Sequence, residues 1–141
     1  MSLTQTWKSG TSKCLFGTMC SKETAITNAH NPLAIQSGAK HLPKQAGVTP
    51  EERASFQAQL DAGFIDAFRK LHPDAKGHYS YWSQRAGNRA PNKGLRLDYF
   101  ICDPDFFAEE KSQVVIRDSY MVESQEGSDH CPVVLEIEIK K

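Results

Sequence analysis

Ser128-Asp129-His130-Cys131-Pro132 sets an acid and an imidazole side by side, between the turn residues Glu126-Gly127 and the alternating run Val133 to Ile139. A carboxylate in such a place can bind a hard cation or a water, and an imidazole can hold or move a proton. Another carboxylate lies upstream in the strand-like run Arg96-Leu97-Asp98-Tyr99-Phe100. Bound to one ring nitrogen, a carboxylate fixes which nitrogen of a histidine carries the proton. The chemistry expected is an Asp98–His130 acid–base pair assembled from two strand ends, with Asp129 beside it as the metal-capable group.

The loop Gln84 to Leu95 leads straight into the strand that carries Asp98. It holds Arg85, Asn88, Arg89, Asn92 and Lys93, and from Ala75 to Leu97 there are five cations, Arg96 and Lys76 included, and no acid. Charge alone favours a solvated loop that keeps the protein soluble. Its position before Asp98, next to Trp82, gives weight to the other reading, contact with a phosphate backbone.

The elements that must position these groups are bounded by length and composition. The chain has 141 residues, enough for one domain with a core but small for a two-sheet enzyme. Its formal net charge of +0 excludes a globally basic nucleic-acid binder, though not a local basic patch. Hydrophobic content of 39% with 24% charged residues suits a globular protein, and there is no transmembrane run. Cys14, Cys20, Cys102 and Cys131 have no metal-ligand spacing and are expected to be free thiols of an intracellular protein, Cys102 and Cys131 buried in strands.

Residues 1–23 read differently from the rest. Met1 to Lys22 has no acid, many hydroxyls, and neither helical nor strand periodicity. An organellar transit peptide is one reading, weakened by the lack of any Arg before Arg53; a poorly ordered or non-homologous terminus is the better one. Thr24 to Ala29 is a short strand candidate and Asn31 to Ala46 a loop. Thr49-Pro50-Glu51-Glu52 is a helix start with a capping box, followed by Phe56 and Leu60 on one face. Gly63 should interrupt this helix, with Phe64, Ile65, Phe68 and Leu71 continuing at helical spacing as core. Strands are predicted at His78 to Ser83, Leu97 to Cys102, Val114 to Arg117 and Cys131 to Ile139. Helices followed by consecutive strands argue for an α+β fold with a mainly antiparallel sheet.

Several stretches carry a family resemblance: Ala46 to Arg53, Gly63 to Arg69, Tyr81-Trp82-Ser83, Arg96 to Phe100, and Gly127 to Pro132. In this order the chain resembles the C-terminal half of the exonuclease III-type AP endonucleases, of the endonuclease/exonuclease/phosphatase superfamily. Ser-Asp-His alone would also fit other branches; the helix start and Arg-Leu-Asp-Tyr-Phe point to the DNA-repair branch. The resemblance implies that residues 24–141 form the C-terminal part of a DNase I-like two-sheet α/β sandwich, one sheet with a helical hairpin. It implies base-excision repair, with cleavage of duplex DNA 5′ to abasic sites by means of Mg2+ or Mn2+. His130 would contact the phosphate or move its proton, Asp98 would orient His130, and Asp129 would help hold the metal. Trp82 would line the pocket for the base-less sugar, and Arg85, Asn88, Arg89, Lys93 and Arg96 would touch DNA. The resemblance places the protein inside the cell, in nucleus or cytoplasm, with an organelle as the alternative.

The departures are as specific. Where the family has Gly-Asp-Leu-Asn, this chain reads Thr24-Ala25-Ile26-Thr27-Asn28, with Ala25 for the activating Asp and Thr27 for the phosphate-holding Asn. The family's N-terminal half, with its principal metal-binding Glu, has no counterpart here. Two expectations follow: an incomplete phosphodiesterase with a weak or absent metal site and little activity alone, or a non-catalytic fragment with residual DNA binding. An uncovered apolar sheet face should also favour self-association.

Overall fold

The computed structural model describes residues 49–140 and the backbone of residues 5–9 and 12–18. Thr49 starts the first helix, α1 (Pro50–Asp61), as its sequence predicts. Thr49 Oγ1 accepts the Glu52 N–H while the Glu52 carboxylate accepts the Thr49 N–H at 3.0 Å, and Pro50 opens the first turn. The helix buries Phe56, whose ring lies 5.0 Å from that of Tyr99. It ends before Gly63, whose φ of +96° reverses the chain as the sequence suggests.

The continuation expected after Gly63 is corrected. Ile65–Asp66 form a short strand, β3, and only then does α2 (Ala67–Leu71) begin. The reason lies in Asp66. Its backbone pairs with Ile101, its Oδ1 caps α2 by accepting the Arg69 N–H, and its carboxylate pairs with buried Arg96 at 2.7 Å. These commitments hold Asp66 extended, so the helical spacing of the apolar residues is broken.

Asp98–Cys102 is β4, Val114–Met121 is β5 and Val133–Ile139 is β6. The strand expected at Val114 to Arg117 runs on to Met121, across an irregularity between Ile116 and Asp118. The strand expected at His78 to Ser83 is corrected to isolated bridges at Tyr81, with Leu95 on one side and His130 on the other. Within residues 1–23, expected to be poorly ordered or non-homologous, Gln5–Ser9 (β1) and Ser12–Thr18 (β2) pair antiparallel, and β2 pairs with β4. Backbone pairing along β4 supplies the order that side-chain alternation did not signal.

The fold class is the expected α+β, with antiparallel pairing throughout the described strands. The expectation of one sheet is corrected: they form a four-stranded sheet, β1-β2-β4-β3, and a separate pair, β5-β6. One apolar cluster joins α2, β4 and β5 through Ala67, Cys102, Phe106, Val114 and Ile116. Another gathers Phe68, Tyr79, Trp82, Met121 and Cys131. The expected Thr24 to Ala29 strand, with Ala25, Thr27 and Asn28, lies outside the described residues. Cys131 is a buried free thiol as expected, but Cys102 is disulfide-bonded, which corrects the expectation of four free thiols. Cys102 faces Cys14 across the β2–β4 register, a proximity that linear spacing cannot show. No helix among the described residues is long and apolar enough to cross a membrane.

Candidate active site

Asp98, the first residue of β4, and His130, three residues before the start of β6, are drawn together by a single extended segment, Ser80-Tyr81-Trp82. The Ser80 hydroxyl accepts the N–H groups of Leu97 (2.9 Å) and Asp98 (3.1 Å), fixing the start of β4. On the other side, Cys131 N–H donates to the Ser80 carbonyl and Trp82 N–H to the Asp129 carbonyl, each at 2.9 Å. His130 is thus held opposite Tyr81, with ring centroids 5.1 Å apart. The outcome is the expected contact: His130 Nδ1 lies 2.6 Å from Asp98 Oδ2. Asp98 is buried, whereas the His130 side chain keeps 37% of its surface exposed. With Nδ1 bound to the carboxylate, Nε2 is the nitrogen left for a reacting group.

Next to His130, Cys131 is buried in the apolar cluster of Phe68, Tyr79, Trp82 and Met121. Burial pushes the Cys131 thiol up to about 11, helped by the negative charge of Glu123. Cys131 is therefore a packed neutral group, not a nucleophile.

The expected DNA-contacting residues separate. Arg85 is exposed, and Asn88 and Lys93 are half-buried at the turn, where the Lys93 N–H donates to the Asn88 carbonyl. Arg96 is corrected: it is 1% exposed, paired with Asp66, with its guanidinium 4.5 Å from the Tyr99 ring centroid and 5.2 Å from that of Phe68. A buried guanidinium needs such a carboxylate, and this one holds Arg96 in the core rather than at a DNA surface. Trp82 is corrected too. It is 2% exposed, its Nε1–H donates to Asn92 Oδ1 at 3.0 Å, and its ring packs edge-on against Tyr79. It supports the site from within. Arg89 stacks on Trp82 at 4.7 Å and donates to the carbonyls of Glu123, Gln125 and Ser128.

No protein-family model matches the chain. Among curated proteins it is 45% identical over 111 residues to an exodeoxyribonuclease of Bacillus subtilis (strain 168), an alignment covering 79% of this chain and 41% of that protein. It is 40% identical over 107 residues to the DNA repair nuclease APEX1 of Danio rerio, covering 76% of this chain and 32% of that protein. Among solved structures, the AP endonuclease LMAP from Leishmania major superposes with a TM-score of 0.52 at 41% identity, over 63% of this chain and 25% of that one. Over most of its described length the chain is similar to part of the exonuclease III-type AP endonucleases and exodeoxyribonucleases. It spans less than half the length of these relatives.

The resemblance implies a divalent metal, for which the described residues offer few ligands. Asp129 is exposed, and its Oδ1 accepts from Ser128 Oγ at 3.3 Å. Asp98 is taken up by His130. Among the described residues no group of three His, Cys, Asp or Glu side chains stands together. Magnesium demands near-octahedral oxygen ligation and usually takes one or two carboxylates with substrate phosphates and water. By themselves the described residues do not fit a resident ion, so no step is derived through one. Ser80 and Tyr81 are the site residues that sequence reasoning missed. Ser80 has no signal beyond a place between two tyrosines in an extended run, and Tyr81 stands in one of the stretches that carry the resemblance without a role being assigned to it.

Proposed function

We propose that the chain holds the histidine side of a DNA phosphodiesterase site of the kind that cuts 5′ to abasic sites, and that alone it turns over such DNA slowly or not at all. The observation that carries this reading is the 2.6 Å contact between Asp98 and His130, with the imidazole half-exposed. Asp98 orients the ring, and Nε2 is free to contact the scissile phosphate or to move a proton there. Asp129 would help hold magnesium or manganese, or waters bound to it, with the remaining ligands coming from elsewhere. Ala25 and Thr27, where the family pattern has Asp and Asn, support low activity for this chain alone. Groups that act as a unit lose most of the rate enhancement when some are missing.

Within this reading residues 24–141 are the C-terminal part of the family's domain. Duplex DNA with abasic sites is the partner, met by exposed Arg85 with Lys93. A role in DNA repair would put the protein inside the cell; the Cys102 disulfide removes the thiol argument for that placement, which rests on the family resemblance. The solvent-facing apolar residues of β6 favour self-association in isolation. Single-turnover incision of abasic duplex DNA, with and without EDTA and beside His130→Ala, tests the reading.

A further inference from the structure

We propose that Arg89 is a positioning residue for the loop that presents Asp129 and His130, and not a phosphate contact. The inference rests on the proposed role of His130 and adds to it the device that sets the loop. Arg89 Nη1 donates to the Ser128 carbonyl at 3.0 Å, and Nη2 donates to the carbonyls of Glu123 (2.9 Å) and Gln125. Residues 124–129 are otherwise exposed, so their backbone has little packing to hold it. The acceptors span the whole turn from the end of β5 to the residue before Asp129.

The guanidinium is fixed in turn. It lies 4.7 Å from the centroid of the buried Trp82 ring, whose Nε1–H donates to Asn92 Oδ1, while Asn92 Nδ2 donates to the Gly77 carbonyl at 2.8 Å. Trp82 also meets the loop directly, because its own N–H donates to the Asp129 carbonyl at 2.9 Å. Arg89 therefore grips the loop by two routes, through Ser128 itself and through the ring whose backbone holds Asp129. A planar fork with several donors and a stacking face suits this task; an ammonium has neither property. A side chain that spends its donors on three carbonyls has few left for a DNA phosphate.

The test uses the full chain labelled with nitrogen-15 and needs no DNA cleavage. Amide exchange is read at Trp82 and Cys131, and the His130 ring N–H signal is read as a reporter of its bond to Asp98. In Arg89→Gln, and again in the milder Arg89→Lys, exchange at Trp82 and Cys131 should rise about tenfold or more relative to Ile101 in β4, and the ring signal should shift or vanish. Lys70→Gln, which removes an exposed charge on α2, should leave both readings unchanged. If both Arg89 variants leave exchange and ring signal unmoved, the proposal is overturned. It is equally overturned if their sole effect is weaker binding to abasic duplex with the salt slope reduced by about 0.9, the signature of one lost phosphate contact. Failure of DNA incision would count against the function proposed for His130 and leave the clamp standing.

Discussion

Asp98 and His130 are joined at 2.6 Å by their side chains, and Ser80 independently ties together the two chain segments that carry them. The Ser80 hydroxyl accepts the Asp98 N–H at 3.1 Å, and its carbonyl accepts the N–H of Cys131 at 2.9 Å. Ser80→Ala keeps the carbonyl and removes the acceptor shared by two buried N–H groups. We expect this change to cost about 1–3 kcal/mol. Urea unfolding should show a lower midpoint at unchanged slope; an unchanged midpoint would refute the role given to the hydroxyl.

Gly94 is required by close approach. A Cβ there would lie 2.5 Å from Tyr79 Cβ, 2.6 Å from Tyr79 Cγ and 2.7 Å from Trp82 Nε1. Tyr79 Cβ cannot swing away, so the backbone must move. Gly94→Ala should destabilise by about 1–3 kcal/mol, as overpacking does, and should disturb Trp82. Tryptophan fluorescence during thermal unfolding checks both effects, and a wild-type melt would contradict the packing described.

Cys131 makes a prediction with a defined pH window. Its folded pKa is raised by burial from 9.0 to about 11. The folded state therefore holds this proton more tightly than the unfolded state, so the stability it contributes is complete below pH 9.0 and is lost as pH rises through about 11. The stability difference between wild type and Cys131→Ala should shrink across that interval. A thiol reagent at neutral pH should reach Cys131 only after denaturation. Rapid labelling of the native protein would show the group to be neither buried nor neutral.

What the sequence made legible was local chemistry or a strong pattern. The Thr49-Glu52 capping box, the stop at Gly63, the strand at Val133 to Ile139, and the Asp98–His130 contact all appear as expected. What it did not reveal was decided by partners distant in sequence. Arg96 reads as one more cation of a basic loop until Asp66 is brought beside it. Trp82 reads as a pocket-lining aromatic until Asn92 and Tyr79 enclose it. The strand at Ile65–Asp66 depends on pairing with β4, which no helical periodicity can announce.

Along β6 the side chains alternate. Leu135 packs against the inner cluster, yet Ile137 is 45% and Ile139 64% exposed. Exposed apolar residues in line on one face favour association. We expect concentration-dependent sedimentation that Ile137→Glu with Ile139→Glu abolishes. A monodisperse monomer of ordinary thermal stability would contradict this.

The central claim concerns DNA, and incision tests it most directly. Abasic duplex DNA is mixed with excess chain and magnesium, and single-turnover cleavage is followed with and without EDTA. The account predicts little or no incision, equal in wild type and His130→Ala, together with DNA binding that weakens as salt rises. Robust EDTA-sensitive incision that His130→Ala abolishes would contradict it, and would show that this chain alone completes the active site.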